Sequence, residues 1–187
     1  FIIDRVRFVS SIAERAKAAG ACYRLGWRVT ALSADESGVR ATVVHEGISE
    51  EIEARAVVVA SGFGSRLPRM LGLTAATPAA FAAQVALQGV DIDSVQVLAH
   101  RHMPQGFFGW MVPTAPGRAL AGVIGRGKPR TALATMLEGL RREGANFEPS
   151  GPVRTWGVPI RPTPCSYSTR ALLVGDVAGQ VKPTTGG

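Results

Sequence analysis

Residues 171–187 of this 187-residue chain run Ala-Leu-Leu-Val-Gly-Asp-Val-Ala-Gly-Gln-Val-Lys-Pro-Thr-Thr-Gly-Gly. The apolar run before Gly175 has the composition of a short buried strand. Gly175-Asp176 then places a carboxylate at the carboxyl edge of a sheet, where α/β proteins bind ligands. A carboxylate in that position suits the hydroxyl groups of a sugar alcohol, which donate the hydrogen bonds it accepts. Gly179 lets backbone come close to a ligand, and the turn Pro183, Thr184, Thr185, Gly186, Gly187 offers backbone N–H groups suited to negative charge on a heteroaromatic ring. Taken alone, Gly-Asp reads first as an ordinary turn after a core strand.

Aromatic residues form the second group with chemical potential. Phe107, Phe108 and Trp110 lie in one strand-like segment, where they either line an apolar substrate cavity or belong to the core. His100 and His102 would share one side of a strand, but no carboxylate is near them in sequence, so no metal site is expected. His45 is isolated and receives no role. Cys22 and Cys165 are far apart without C-x-x-C spacing, which indicates neither a disulfide framework nor zinc, and Cys165 has no paired His that would make it a nucleophile.

Composition narrows the classes. A 46% hydrophobic content supports a real core and excludes general disorder. The 21 basic against 14 acidic residues give a net charge of +7, which favours an anionic ligand, an acidic partner or an anionic membrane surface. The arginines are scattered and stacking aromatics are few, so nucleic acid is not an expected partner. The uncharged run 71–90 contains Gly72, Pro78, Gln84 and Gly89, which argue against a lipid-exposed span.

The elements that must position these residues follow from periodicity. Phe8, Ile12, Ala16 and Ala19 fall on one face of a helix that Gly20 would cap. Residues 21–34 alternate as a strand, 36–38 form a turn, and 39–45 with 48–54 form a hairpin. Residues 56–60 are a β-branched run, the mark of a buried strand, followed by a short helix over 65–71. Segments 81–90, 95–101, 106–112 and 119–126 predict an antiparallel sheet, 131–142 a helix, 153–160 another strand and 170–174 the strand that ends at Gly175. Strands 57–59 and 171–174 read as interior strands whose parallel neighbours come largely from outside this chain.

Four segments together resemble the flavin-dependent geranylgeranyl reductase family, within the wider group that includes p-hydroxybenzoate hydroxylase. They are the start Asp4-Arg5-Val6-Arg7-Phe8, the strand and turn 57–65, the strand Gly106-Phe107-Phe108-Gly109-Trp110-Met111-Val112-Pro113, and 175–187, which is similar to Gly-Asp-Ala-Ala-Gly-x-Val-x-Pro-x-Thr-Gly. The resemblance implies that Asp176 binds the ribityl or ribose hydroxyls of FAD and that residues 183–187 line the isoalloxazine. It further implies that Arg5 lies near the sugar-phosphate chain and that Phe107, Phe108 and Trp110 face substrate. The sequence has Val9 and Ser61 where the family has Asp. It also has no G-x-G-x-x-G, since Gly62-Phe63-Gly64 lacks the final glycine. Without that phosphate-holding turn the chain alone is expected to bind FAD weakly or not at all and to be inactive.

The expected fold class is α/β, or mixed α+β: later elements of an FAD-binding domain over 1–75, an antiparallel β-sheet substrate domain over 76–164, and a return to the FAD-binding domain over 165–187. Both ends read as cuts through a longer polypeptide. The expected function is an FAD-dependent reductase of isoprenoid carbon–carbon double bonds, with NADPH or another electron donor and a prenyl-chain substrate. A cytoplasmic location with peripheral membrane contact goes with it. A flavin-dependent monooxygenase or halogenase is the rival, because 110–113 also resembles a Trp-x-Trp-x-Ile-Pro segment with Phe108 at the first Trp. A non-catalytic module for hydrophobic ligands is the alternative of another class.

Overall fold

The computed structural model describes residues 3–99 and 106–181. Asp4 starts the first helix, α1 (Arg5–Ala18). Its carboxylate accepts from the N–H of Val6 at 3.0 Å and of Arg7 at 3.1 Å, filling two donors that a helix start leaves open. Gly20, at φ 96°, ends the helix: its N–H bonds Lys17 O at 2.9 Å, and the Ala21 N–H bonds Ala16 O at 3.0 Å. None of the α1 residues is buried, and Val6, Phe8, Val9 and Ile12 stand exposed.

Strands β1 (Arg28–Ala34), β2 (Val39–His45) and β3 (Ile48–Ala54) form an antiparallel meander in the order β1-β2-β3. The strand expected over 21–34 is cut to its second half because Gly26 turns the chain at φ 80°, with the His45 ring so close that a Cβ at 26 would lie 2.9 Å from Cε1. Trp27 stacks on that imidazole at 5.3 Å, and the Arg24 guanidinium lies 4.0 Å from the indole centroid. His45 is therefore a packing partner. At the first turn the Asp35 carboxylate accepts from the Ser37 hydroxyl and from the N–H groups of Ser37 and Gly38, which holds its carboxyl below the usual range.

After β4 (Val57–Val59) and the short α2 (Leu67–Met70), the chain builds a second architecture. Strands β5 (Pro78–Gln88), β6 (Gln96–Leu98), β7 (Gly106–Ala115) and β8 (Arg118–Gly125), the helix α3 (Pro129–Arg142) and strand β9 (Glu148–Pro159) follow in order. The five strands make one antiparallel sheet, β6-β7-β8-β5-β9. Alternation divides its faces. Ala83, Val85, Leu87, Met111, Ala121 and Val123 pack against Leu133, Met136 and Leu137 of α3. Ala82, Phe108, Trp110 and Ile124 form a separate cluster on the other face.

Two short strands, β10 (Tyr167–Ser168) and β11 (Ala171–Leu173), complete the chain's sheets, with β11 between β10 and β4. β11 runs parallel to β4, with Leu173 opposite Val59, so each of these two strands has one parallel neighbour within the chain, and β4 is the end strand of this sheet. Short apolar runs carry no partner information, which is why the pairing was not legible. One face of this sheet joins the meander through Val59, Leu173, Leu32, Val39, Leu73 and Val177. Arg170 ties the same two parts together, donating from Nε and Nη2 to Glu36 O at 3.0 and 2.6 Å and from Nη1 to Arg55 O at 3.0 Å. No described helix is long and apolar enough to cross a membrane.

Candidate functional site

Because β4 and β11 are parallel, their carboxyl ends open at the same edge. The Val174 N–H extends the pairing by one bond to Val59 O at 3.0 Å, and the chain then enters a 3₁₀ turn, Gly175–Ala178. Glycines bracket this turn in the left-handed region, Gly175 at φ 71° and Gly179 at φ 68°. The Gly179 N–H bonds Asp176 O at 3.1 Å, and the Gln180 N–H bonds Gly175 O at 3.0 Å. The Gln180 side chain returns to accept from the Gly175 N–H at 3.2 Å. Two outside segments of the chain hold the turn down, with Thr163 N–H on Ala178 O at 2.9 Å and Ala76 N–H on Val177 O at 3.2 Å.

Val177 and Ala178 are buried by this arrangement, whereas Asp176 is exposed and no described residue bonds or pairs with its carboxylate. The turn is rigid and its acceptor is uncommitted, a combination that suits hydroxyl donors from a ligand. Gly179 has a different reason from the expected close approach of a ligand: a Cβ there would lie 2.2 Å from Arg161 O and 2.8 Å from Pro162 Cα. The chain's own 161–162 segment occupies the space. Pro183, Thr184, Thr185, Gly186 and Gly187 lie outside the described residues, as do His100 and His102. Arg5 stands exposed at the first position of α1, and no hydrogen bond or ion pair among described residues joins that helix to the turn.

The aromatic segment is positioned by a glycine. Gly122 on β8 sits in register between Trp110 on β7 and Gln84 on β5. A Cβ at 122 would fall 2.2 Å from Trp110 Cζ2 and 2.4 Å from Cε2, so the indole lies across the glycine. Its Nε1–H reaches the Gln84 Oε1 at 3.3 Å. The Phe108 ring stands 6.0 Å from the indole at 56°, and the side chain of Phe107 lies outside the described set. The sequence marked Trp110 but neither Gln84 nor Gly122, although a glycine inside an apolar strand is itself a signal of close approach. Gly122→Ala is expected to push the indole off the sheet and break its bond to Gln84, at a cost of about 1–3 kcal/mol. Thermal unfolding and tryptophan emission check this; an unchanged midpoint and spectrum would refute it.

The loop after β4 carries a further link. Phe63, between Gly62 and Gly64, fills the space above Gly157 of β9, where a Cβ would meet its ring at 2.6 Å. That segment is thus a packing device between the parallel strands and the large sheet.

Residues 1–181 match the family model described as FAD dependent oxidoreductase. The chain is 31% identical over 204 residues to digeranylgeranylglycerophospholipid reductase 2 of Methanopyrus kandleri, an alignment that covers 100% of this chain and 51% of that protein. Among solved structures, a geranylgeranyl bacteriochlorophyll reductase-like protein from Thermoplasma acidophilum superposes with a TM-score of 0.82 at 24% identity, over 98% of this chain and 49% of its own. A flavin-dependent brominase superposes with a TM-score of 0.76 at 20% identity, over 97% of this chain and 50% of its own. The chain spans about half the length of these proteins. The mixed α/β fold class agrees with the expectation from sequence.

Proposed function

Since the chain belongs to the FAD-dependent oxidoreductase family, we propose that it supplies part of the flavin and substrate sites of a reductase that saturates carbon–carbon double bonds of an isoprenoid lipid. The observation that carries this reading is the exposed, uncommitted Asp176 carboxylate on a rigid turn at the carboxyl edge of the parallel strands. Its acceptor chemistry fits FAD: Asp176 would accept from the ribityl or ribose hydroxyls, with Gly175 and Gly179 giving the turn its shape and Arg5 near the sugar-phosphate chain. Pro183, Thr184, Thr185, Gly186 and Gly187 would line the ring system.

The bound flavin supplies hydride chemistry, and NADPH or another donor would reduce it. The chain's own part is to position and to exclude water. Trp110 and Phe108, held on the sheet face away from α3, would give a prenyl chain a flat apolar wall, with Phe107 in the same strand. The net charge of +7 would draw an anionic head toward it. A cytoplasmic location with peripheral contact at a membrane goes with such a substrate.

Trp110→Ala is expected to raise KM for a prenyl lipid about tenfold or more through lost apolar contact, with a smaller change in flavin content. Steady-state kinetics beside flavin absorbance separates the two. Oxygen-dependent turnover of small polar aromatics with no activity on prenyl chains would instead support the monooxygenase reading. Tight lipid binding by a protein that takes up no flavin would support a binding module.

A further inference from the structure

Alternation along the strands sets two cross-strand rows on the face of the five-stranded sheet that turns away from α3. In the first, Phe108 of β7, Ile124 of β8, Ala82 of β5 and Trp156 of β9 stand in register; in the second, Trp110, Gly122, Gln84 and Arg154 do. β9 is the edge strand, so the second row runs from the indole at β7 to a guanidinium at the open side of the sheet. Arg154 is exposed, and Trp156, two positions along the same strand, keeps 40% of its surface exposed.

Hydrogen-bond and charge accounting single out the β9 end of the second row. The Gln84 Oε1 accepts from the Trp110 Nε1–H at 3.3 Å, which turns the amide NH2 away from the indole, and that NH2 has no described partner. Arg154 is the direct cross-strand neighbour of Gln84, with β carbons about 5 Å apart. Glu148 is the one carboxylate in the sequences of the five strands, and it pairs with Arg141 of α3 at 3.9 Å. No described residue bonds or pairs with the Arg154 guanidinium. An amide NH2 and a guanidinium fork thus stand side by side as donors with no acceptor of their own, an arrangement that matches the oxygens of a phosphate.

We propose that Gln84 and Arg154 hold the phosphate at the head of the isoprenoid substrate, and so select phosphorylated over neutral prenyl chains. At the edge strand the head keeps its other oxygens in water, while the chain lies against Phe108, Trp110 and Trp156. Its direction follows from β9. From Arg154 this strand passes Trp156 and Gly157, which packs under Phe63 of the loop after β4, and the chain then reaches Thr163, whose N–H bonds Ala178 of the Asp176 turn. The first row therefore lies about 7 Å nearer that turn than the second, which keeps the charged head away from it and sends the apolar chain toward it. The inference rests on the isoprenoid reading above and adds the residues that read the head.

The test needs neither flavin nor turnover: isothermal titration of the full chain with geranylgeranyl diphosphate and with geranylgeraniol, the same chain without phosphate. The parent is expected to bind the diphosphate more tightly. Arg154→Gln is expected to lower the diphosphate affinity about tenfold or more, the loss of one hydrogen bond to a charged group, and to change the alcohol affinity less than about twofold. Arg154→Lys keeps the charge without the fork and should regain part of the loss. Arg69→Gln removes the same charge at an exposed site on α2, off this face, and should leave both affinities within about twofold. Digeranylgeranylglyceryl phosphate in place of the diphosphate separates the two sources of phosphate, since the head that the site takes shows the larger loss in Arg154→Gln. Equal losses for diphosphate and alcohol, a diphosphate affinity that survives Arg154→Gln, or the same loss in Arg69→Gln would overturn the subsite and leave the isoprenoid reading standing. A parent that binds none of the three lipids would overturn that reading, and the subsite with it.

Discussion

Asp176→Ala is expected to weaken FAD binding about 10- to 150-fold, the equivalent of the about 1.5–3 kcal/mol that a hydrogen bond to a charged group contributes. The turn that carries Asp176 is held by backbone bonds to Thr163 and Ala76 and by the burial of Val177 and Ala178, none of which uses the carboxylate. Removing it should therefore leave the fold intact and take away only an acceptor. Asp176→Asn keeps the shape and one acceptor oxygen without the charge, and should fall between parent and Ala. Fluorescence titration of FAD with each protein gives the ratio of dissociation constants, which is independent of how tightly the chain holds FAD in absolute terms. Thermal unfolding without flavin is the control. Dissociation constants that agree within a factor of two would remove Asp176 from the flavin site.

The largest expected loss of stability comes from Gly179→Val, at about 2–5 kcal/mol. Two terms combine: a β-branched residue at positive φ costs about 1–2 kcal/mol, and overpacking against backbone costs about 1–3 kcal/mol or more. The opposing atoms are Arg161 O and Pro162 Cα, main-chain atoms that cannot rotate away. Gly175→Ala provides the contrast. Gly175 has the same left-handed backbone, but nothing lies within 4 Å of an added Cβ, so only the conformational cost of about 1–2 kcal/mol applies. Urea unfolding of both variants tests the difference. Equal destabilisation would mean that the 161–162 segment yields freely and does not define the turn. The flavin affinity of Gly179→Val should also fall, because Thr163, which anchors Ala178, follows directly on the displaced segment.

Local chemistry was legible in the sequence. The bounds of β2 and β3 and the helix that ends at Gly20 follow from turn residues and periodicity, which act between neighbours a few positions apart. The Gly175-Asp176 pair was legible for the same reason: a strand, a glycine and a carboxylate in succession place an acceptor at a sheet edge whatever the rest of the chain does. The partners of glycines were not. Gly122 under Trp110, Gly157 under Phe63 and Gly179 under Arg161 each make room for a group from a distant part of the chain. A missing side chain records that something comes close without recording what. Likewise β4 and β11 find each other across more than a hundred residues, through β-branched and apolar runs that would pair equally well elsewhere. Sequence alone thus determined the short elements and the place of the Gly175-Asp176 pair at the end of one of them. Only the tertiary structure decided which strands pair, which face Trp110 takes and what fills each glycine's space, because those depend on long-range packing between surfaces whose complementarity exists only once both are folded.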